Sequence, residues 1–446
     1  MSAARQELSA LLGEARPLVL TNLGSMALGL VDVAVVGRLG AREIAAAGLG
    51  NTIFFNVALF GMGVLFALDP LIAQALGAKE RPTGARVLVS GLALAAVMSL
   101  PLAALVLLVA ETVPPLSVAP ETAALTRDFV IARLSSLLPF LLSLGARGYL
   151  QAHGRTRSLL VGVLAANVVN LPAALVLVHG IGGFAGLGVV GAGLAAGLAS
   201  LVQLVVTALP IPGMLREDLG RPASRQDLDV PAMGKILRLG VPLGLQIMLE
   251  AGSFWIVTVL IGRFGDTALA AHHVALTAVS TTFQIALGIG GATAVRVGRA
   301  VGDGLDPSAP RRTGWLGIGL GAAAMGLGAL LFGTIPEAIG RAMTSEADVV
   351  AAAVPFFLVA ACFQLSDGVQ TVAQAALRGA GETLWPLVLN FAAHYAVGLP
   401  LGWWLASERG LGPVGLWWGL SAGLTAVAIL LAIRFDLLAR RRIERA

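Results

Sequence analysis

Apolar residues in this chain run in long blocks rather than alternating. A helix needs about 20 apolar residues to cross the hydrocarbon of a bilayer. Twelve blocks reach that length, near residues 17–37, 52–76, 87–110, 124–150, 158–178, 186–210, 238–261, 274–298, 313–334, 349–377, 385–405 and 414–436. The connections are short and rich in Gly, Pro and charge, the usual punctuation between helices. The pattern predicts an all-α polytopic membrane protein. The longest polar stretch, residues 211–233, follows the sixth block and reads as a surface linker.

Composition strengthens this reading. The 446 residues are 57% hydrophobic and only 12% charged, too few charges to solvate a soluble surface of this size. The net charge of +5 would raise the question of nucleic acid in a soluble chain. Here no basic patch alternates with aromatics, so no nucleic-acid partner is expected. Lys and Arg instead gather in every second connection, including Lys79, Arg81, Arg86, Arg155, Arg157, Arg311, Arg312 and the tail "RFDLLARRRIERA". That bias places both termini in the cytoplasm. Cys362 stands alone, which excludes an internal disulfide. Glu7 and Glu14 interrupt the start where a signal peptide needs an apolar core, so the first span is expected to act as its own insertion signal.

The chain also repeats itself. "VVGRLGAREIAAAGL" (35–49) resembles "LIGRFGDTALAAHHV" (260–274), and "ALGAKE" (75–80) resembles "AVGDGL" (300–305), both displaced by 225 residues. "GLGVVG" (186–191) returns as "GLGPVG" (410–415), displaced by 224. The expectation is two six-helix bundles, pseudo-symmetric about a central cavity, with lobes 1–210 and 234–446 joined by 211–233. Six spans per half give both halves one orientation, so the pseudo-axis runs along the membrane normal. Transporters built from such repeats bind cargo between them and rock in alternation.

Polar side chains inside the spans are rare and aligned. A helix turns 100° per residue, so Gln364, Asp367, Thr371, Gln374 and Arg378 fall within an arc of about 80°. Gln246, Glu250 and Ser253 share one face, as do His273, Thr277, Ser280 and Gln284, and Thr21, Ser25 and Asp32. Aligned polar faces in lipid must point at each other or at a water-filled cavity, so Gln246, Ser253, His273, Thr277, Gln284, Gln364, Thr371 and Gln374 are expected to line a cargo cavity. The bland alternative for Gln246, Ser253, Thr277 and Thr371 is joining helices by hydrogen bonds. The acids differ. A carboxylate at mid-span costs roughly 2.5–3.5 kcal/mol on insertion scales, and an amide joins helices at less expense. Glu250, Asp367 and Asp32 therefore mark function. Asp69, directly before Pro70, suits a helix end. His394 lies mid-span without an assignable role. Desolvation disfavours the charged form of a carboxylate, and a bound proton or cation offsets that cost. Two acids facing one cavity also attract cationic cargo. Competition between cation and cargo for the same acids yields antiport.

These residues resemble a known family. "VDVAVVGRLGA", "ALDPLIAQALGA", "VPLGLQIMLEAGSFWIVTVLIGRFGDTALAAHHVAL" and "DGVQTVAQAALRGAGET", in this order, are similar to multidrug and toxic compound extrusion (MATE) transporters of the NorM-like branch, over essentially the full length. The resemblance implies secondary active efflux of small cationic or amphipathic organic compounds, driven by inward Na⁺ or H⁺, with no other cofactor. It carries Asp32 over as the acid of the amino-terminal lobe. It carries Glu250 and Asp367 over as the coupling-cation site, ligating Na⁺ if sodium drives the exchange. Asn170 matches a polar position of the fifth span. Ala174 stands where many relatives have a second polar residue, and Asn167 is the substitute on a similar face. Phe363 stands where relatives often have Tyr, keeping a π-face for a cation. The expected setting is the lipid bilayer of a bacterial inner membrane, with the protein working as a monomer. A flippase or exporter of a lipid-linked or other metabolite is the rival of related architecture, but an anionic cargo calls for a basic cavity. An intramembrane hydrolase lacks its motif, since no span holds HExxH. The chain is not expected to be an enzyme.

Overall fold

The computed structural model describes residues 3–181 and 184–446. Every predicted block has its helix: α1 (Arg5–Val36), α2 (Ala41–Gly77), α3 (Arg81–Leu116), α4 (Pro120–Ala152), α5 (Arg157–His179), α6 (Val189–Leu219), α7 (Val230–Gly262), α8 (Asp266–Asp303), α9 (Ala309–Thr334), α10 (Ala347–Gly379), α11 (Leu384–Ser407) and α12 (Pro413–Ala439). Most overrun their apolar blocks. Lipid forces each backbone N–H and C=O into internal bonds, and the helix continues past the hydrocarbon once formed. Gly40 and Gly265, equivalent under the repeat, begin α2 and α8 with φ of 147° and 105°. Only glycine enters that region at no steric cost, so both turns retain it.

Five interruptions break the regularity, two of them a bend at Val113 in α3 and a 3₁₀ turn over Leu134–Ser136 in α4. Phe66 and Ala67 form a turn inside α2, and Asp69 lies buried in the first turn of the helix that resumes there. A carboxylate at that point faces the positive end of the helix dipole. α6 is broken at Leu209–Pro210. In α11, Ala392–Gly398 is a π-helical segment that contains the buried His394.

The linker 211–233 is structured over much of its length. Ile211–Leu219 is helical and extends α6. Its Asp218 accepts hydrogen bonds from the Tyr149 hydroxyl (2.5 Å) and His153 Nε2 (2.8 Å). Arg221 grips Asp227 through both Nη atoms, at 2.9 and 2.6 Å. These bonds hold the Asp227 carboxyl below its usual range, with the Arg221 bonds the main cause.

The chain forms two compact units, residues 20–244 and residues 3–19 together with 245–446. Thus α1 and α7 each begin in one unit and end in the other. The two crossing points are equivalent under the 225-residue repeat, and so are the prolines just before them, Pro17 and Pro242. A proline inside a helix removes one backbone bond and softens the helix at that point. The packing repeats as well. In the first unit, the start of α7 lies against α2 so closely that a Cβ on Gly63 would sit 2.4 Å from the Cα of Gly244. In the second, a Cβ on Gly288 of α8 would sit 2.7 Å from the backbone nitrogen of Val19. Glu7 and Glu14 fasten the same segment of α1 to Arg296 at 2.7 and 3.1 Å. The second unit's core centres on Phe356, Phe357, Phe363 and Trp417.

Candidate functional site

In the second unit, α7 brings Glu250 beside α10 and α11. Gln370 donates its amide N–H to Glu250 Oε1 at 2.7 Å. Asn390 donates to Oε2 at 3.3 Å. Asp367, one turn before Gln370 and buried, lies within reach of the Glu250 charge. Among the described residues no cationic side chain pairs with Glu250 or Asp367. Gln370 and Asn390 turn their N–H groups to Glu250, and their own buried oxygens meet no partner among the described residues. The same holds for Thr371 Oγ1 and for both amide atoms of the fully buried Gln246, one turn before Glu250. Among the described residues no three His, Cys, Asp or Glu converge as a metal cluster. The oxygens here come from two carboxylates and neutral amides or hydroxyls, a donor set that suits a hard monovalent cation or a proton.

Other predicted members of this site serve the scaffold. Ser253 donates to the backbone oxygen of Glu250 (2.7 Å) and Thr277 to that of His273 (2.8 Å). Gln364 donates to Thr282 Oγ1 (2.7 Å), tying α10 to α8. Phe363, expected to offer a π-face, is 1% exposed and packs on Trp417 with ring centroids 5.9 Å apart. Gln374 and Gln284 are half-buried and His273 is exposed. His272, its neighbour, is buried. It accepts from Trp417 Nε1 at 2.9 Å and lies 2.8 Å from Thr258 Oγ1, whose proton goes to Phe254 O. His272 therefore carries its proton on Nε2 and joins three helices.

The first unit holds an unlike acid. Asp32 Oδ1 accepts from Asn170 Nδ2 at 2.8 Å. Asp32 Oδ2 faces Arg133 Nη1 at 3.6 Å, and both side chains are nearly buried, at 12% and 11% exposure. The Arg133 guanidinium carbon lies 5.2 Å from the ring centre of Phe54 and 5.5 Å from that of Phe55, within cation–π range. Asn167 does not join Asp32. Its amide nitrogen is used on the backbone oxygens of Gly24 and Val163, both at 2.9 Å.

Arg133, Gln370 and Asn390 were absent from the sequence expectation. Arg133 carried the clearest signal, an arginine inside an apolar span. Gln370 is three residues after Asp367, on the neighbouring face. Asn390 belongs to no polar stripe singled out in the sequence, and only the fold brings it to Glu250.

Comparisons with known proteins agree with this architecture. The MatE family model matches residues 17–176 and again 242–404. A "probable multidrug resistance protein NorM" of Deinococcus radiodurans is 38% identical, covering 99% of this chain and 97% of the relative. Its counterpart in Bradyrhizobium diazoefficiens is 37% identical, covering 95% and 92%. Among solved structures, the eukaryotic MATE transporter AtDTX14 superposes with a TM-score of 0.89 at 22% identity, over 99% of both chains. An outward-facing MATE family transporter gives 0.86 at 18% identity, over 98% of this chain and 96% of that one. With a family model over most of its length and full-length relatives above one-third identity, the chain belongs to the MATE family, as a NorM-like transporter and not an enzyme.

Proposed function

We propose that the protein is a multidrug efflux antiporter, exporting cationic or amphipathic organic compounds in exchange for inward Na⁺ or H⁺. The observation that carries this is the Glu250 cluster. Two acids stand within charge range of each other inside an apolar bundle, with amide donors on Glu250 and, among the described residues, no fixed cation. Two neighbouring anions in low dielectric favour uptake of a proton or a small cation. The name of the relatives, multidrug resistance protein, supports the cargo class. In this reading Glu250 and Asp367 take up the coupling ion, and Gln370, Asn390, Thr371 and Gln246 supply neutral groups around it.

Asp32 has a different task. Arg133 already balances its charge, so an arriving organic cation competes with a tethered one. Asp32 then governs cargo hold and release rather than ion capture. Arg133 is the side chain that would suit an anionic, lipid-linked cargo, and its engagement with Asp32 weighs against the flippase reading. The bodies that alternate are the two lobes expected as 1–210 and 234–446, joined by 211–233, except that residues 3–19 move with the second and residues 230–244 with the first. The setting is a bacterial inner membrane with both termini in the cytoplasm, and a monomer suffices.

The test is efflux of a cationic dye into inverted membrane vesicles, driven separately by a Na⁺ gradient and a pH gradient. Dye accumulation under either gradient supports the proposal and names the ion. Accumulation under neither, with binding of a lipid-linked sugar instead, overturns it.

A further inference from the structure

On the second unit, α9, α10 and α12 enclose an open groove of about 500 Å³. Leu365 and Val369 of α10 line one side, and Ile429, Ala432, Ile433 and Leu437 of α12 line the other. The polar hydroxyls of Ser366 and Thr425 lie 3.0 Å apart and satisfy each other. The groove is otherwise apolar until its end at Asp436.

That end is basic. Arg311 Nε and Trp315 Nε1 donate to Asp436 Oδ1 at 2.8 and 3.0 Å, and Arg440 Nε donates to Oδ2 at 2.7 Å. A second cavity of about 540 Å³, lined by Ser308, Arg311, Arg312, Trp315 and Asp436, continues from the groove. Both oxygens of Asp436 are engaged, and both arginine bonds run through Nε. The Nη donors of Arg311 and Arg440 remain for an anion, on side chains 45% and 64% exposed. Arg312 stands beside them, paired with Asp306 at 3.3 Å. Arginines outnumber carboxylates here even before the exposed Arg441 and Arg442 are counted.

The dimensions fit one leaflet. Thr425 and Asp436 are eleven residues apart on α12, roughly 16 Å of helix, about half of a ~30 Å hydrocarbon core. The tryptophan ring sits where the apolar groove meets the arginines, the usual position for Trp at a membrane interface. Acyl chain and headgroup thus meet matching surfaces.

We propose that this groove is a binding site for an anionic glycerophospholipid, with an acyl chain along α10 and α12 and its phosphate on Arg311, Arg312 and Arg440. A zwitterionic lipid offers the same phosphate but brings its own cation towards three arginines. Charge complementarity therefore selects a headgroup such as phosphatidylglycerol. The proposal concerns the lipid-facing side of one unit and does not depend on the transported cargo or the coupling ion.

The experiment is native mass spectrometry of the full-length protein in detergent, after adding phosphatidylglycerol or phosphatidylcholine with identical chains. The protein is expected to retain phosphatidylglycerol preferentially. Replacing Arg311, Arg312 and Arg440 together by Gln is expected to cut that retention about tenfold or more while leaving phosphatidylcholine unchanged, since each basic side chain near a membrane surface adds to anionic-lipid affinity. Ala432→Phe keeps every charge and fills the groove, and is expected to lower retention of both lipids. Equal retention of the two lipids by the unaltered protein overturns the proposal. So does undiminished phosphatidylglycerol retention in Ala432→Phe, whether or not the arginine variant folds.

Discussion

Residues 25 and 250 are equivalent under the repeat, yet one is Ser and the other Glu. Asp32 likewise answers to Val257. The scaffold around them repeats closely, down to Pro17 and Pro242, Gly40 and Gly265, and the tight contacts at Gly63 and Gly288. Duplication preserved what packing and turns require, while the charged side chains diverged. In the first unit a carboxylate is paired with an arginine. In the second, two buried carboxylates lie within charge range of each other, and two amides donate to one of them, Glu250. An acid with a built-in counter-ion and an acid pair without one answer differently to a mobile cation, and this division is what the following experiments probe.

The largest effect is expected at the acid pair. Glu250→Gln or Asp367→Asn should each reduce gradient-driven dye efflux about tenfold or more, and the double variant should be little worse, because members of one unit are not additive. Two mild losses that add in the double variant would show that the acids work separately. Next comes the ion pair of the first unit. Arg133→Met alone strands a nearly buried Asp32, and a stability loss of up to ~3–5 kcal/mol is expected, visible as a lower melting temperature in detergent. Adding Asp32→Asn should recover part of it, and no recovery would mean the two groups are not energetically coupled. Ion binding at Glu250 should survive Asp32→Asn, whereas its disappearance would erase the distinction between the two sites. A smaller change is expected from Gln370→Leu or Asn390→Leu. Partners behind an ion-binding carboxylate typically alter affinity by about 10- to 100-fold, so the half-saturating coupling-ion concentration should rise without loss of expression. The smallest belongs to Asn167→Ala, which should cost about 0.6–1.7 kcal/mol of stability and leave transport intact. A transport defect there would restore Asn167 to the Asp32 site.

Much of this was legible in the chain. Twelve apolar blocks became twelve helices, because lipid leaves the backbone few alternatives. The acids were conspicuous because each stood alone in apolar surroundings. Neighbourhood was harder to read. Helical periodicity assigns a face, but a face of α10 wide enough to hold both Gln364 and Asp367 touches more than one helix. Gln364 therefore ties to Thr282 while Asp367 stays near Glu250. Phe363 was expected to offer a π-face because relatives often have Tyr there, yet one residue of rotation from Gln364 puts it among Phe356 and Trp417. Periodicity within one half also gave no means of seeing that the starts of α1 and α7 belong to opposite compact units, since such contacts lie hundreds of residues away.

That exchange has a consequence for biosynthesis. Residues 3–19 find Arg296, Arg299 and the backbone beside Gly288 only after roughly 280 more residues have been made. At ribosomal speeds of about 5–20 residues per second, the opening turns of α1 wait roughly 15–60 s for their packing partners. The start of α7 has no such delay, because α2 is already in place when it emerges. A gene cut at the linker would therefore yield two fragments, each missing a helix segment that the other carries.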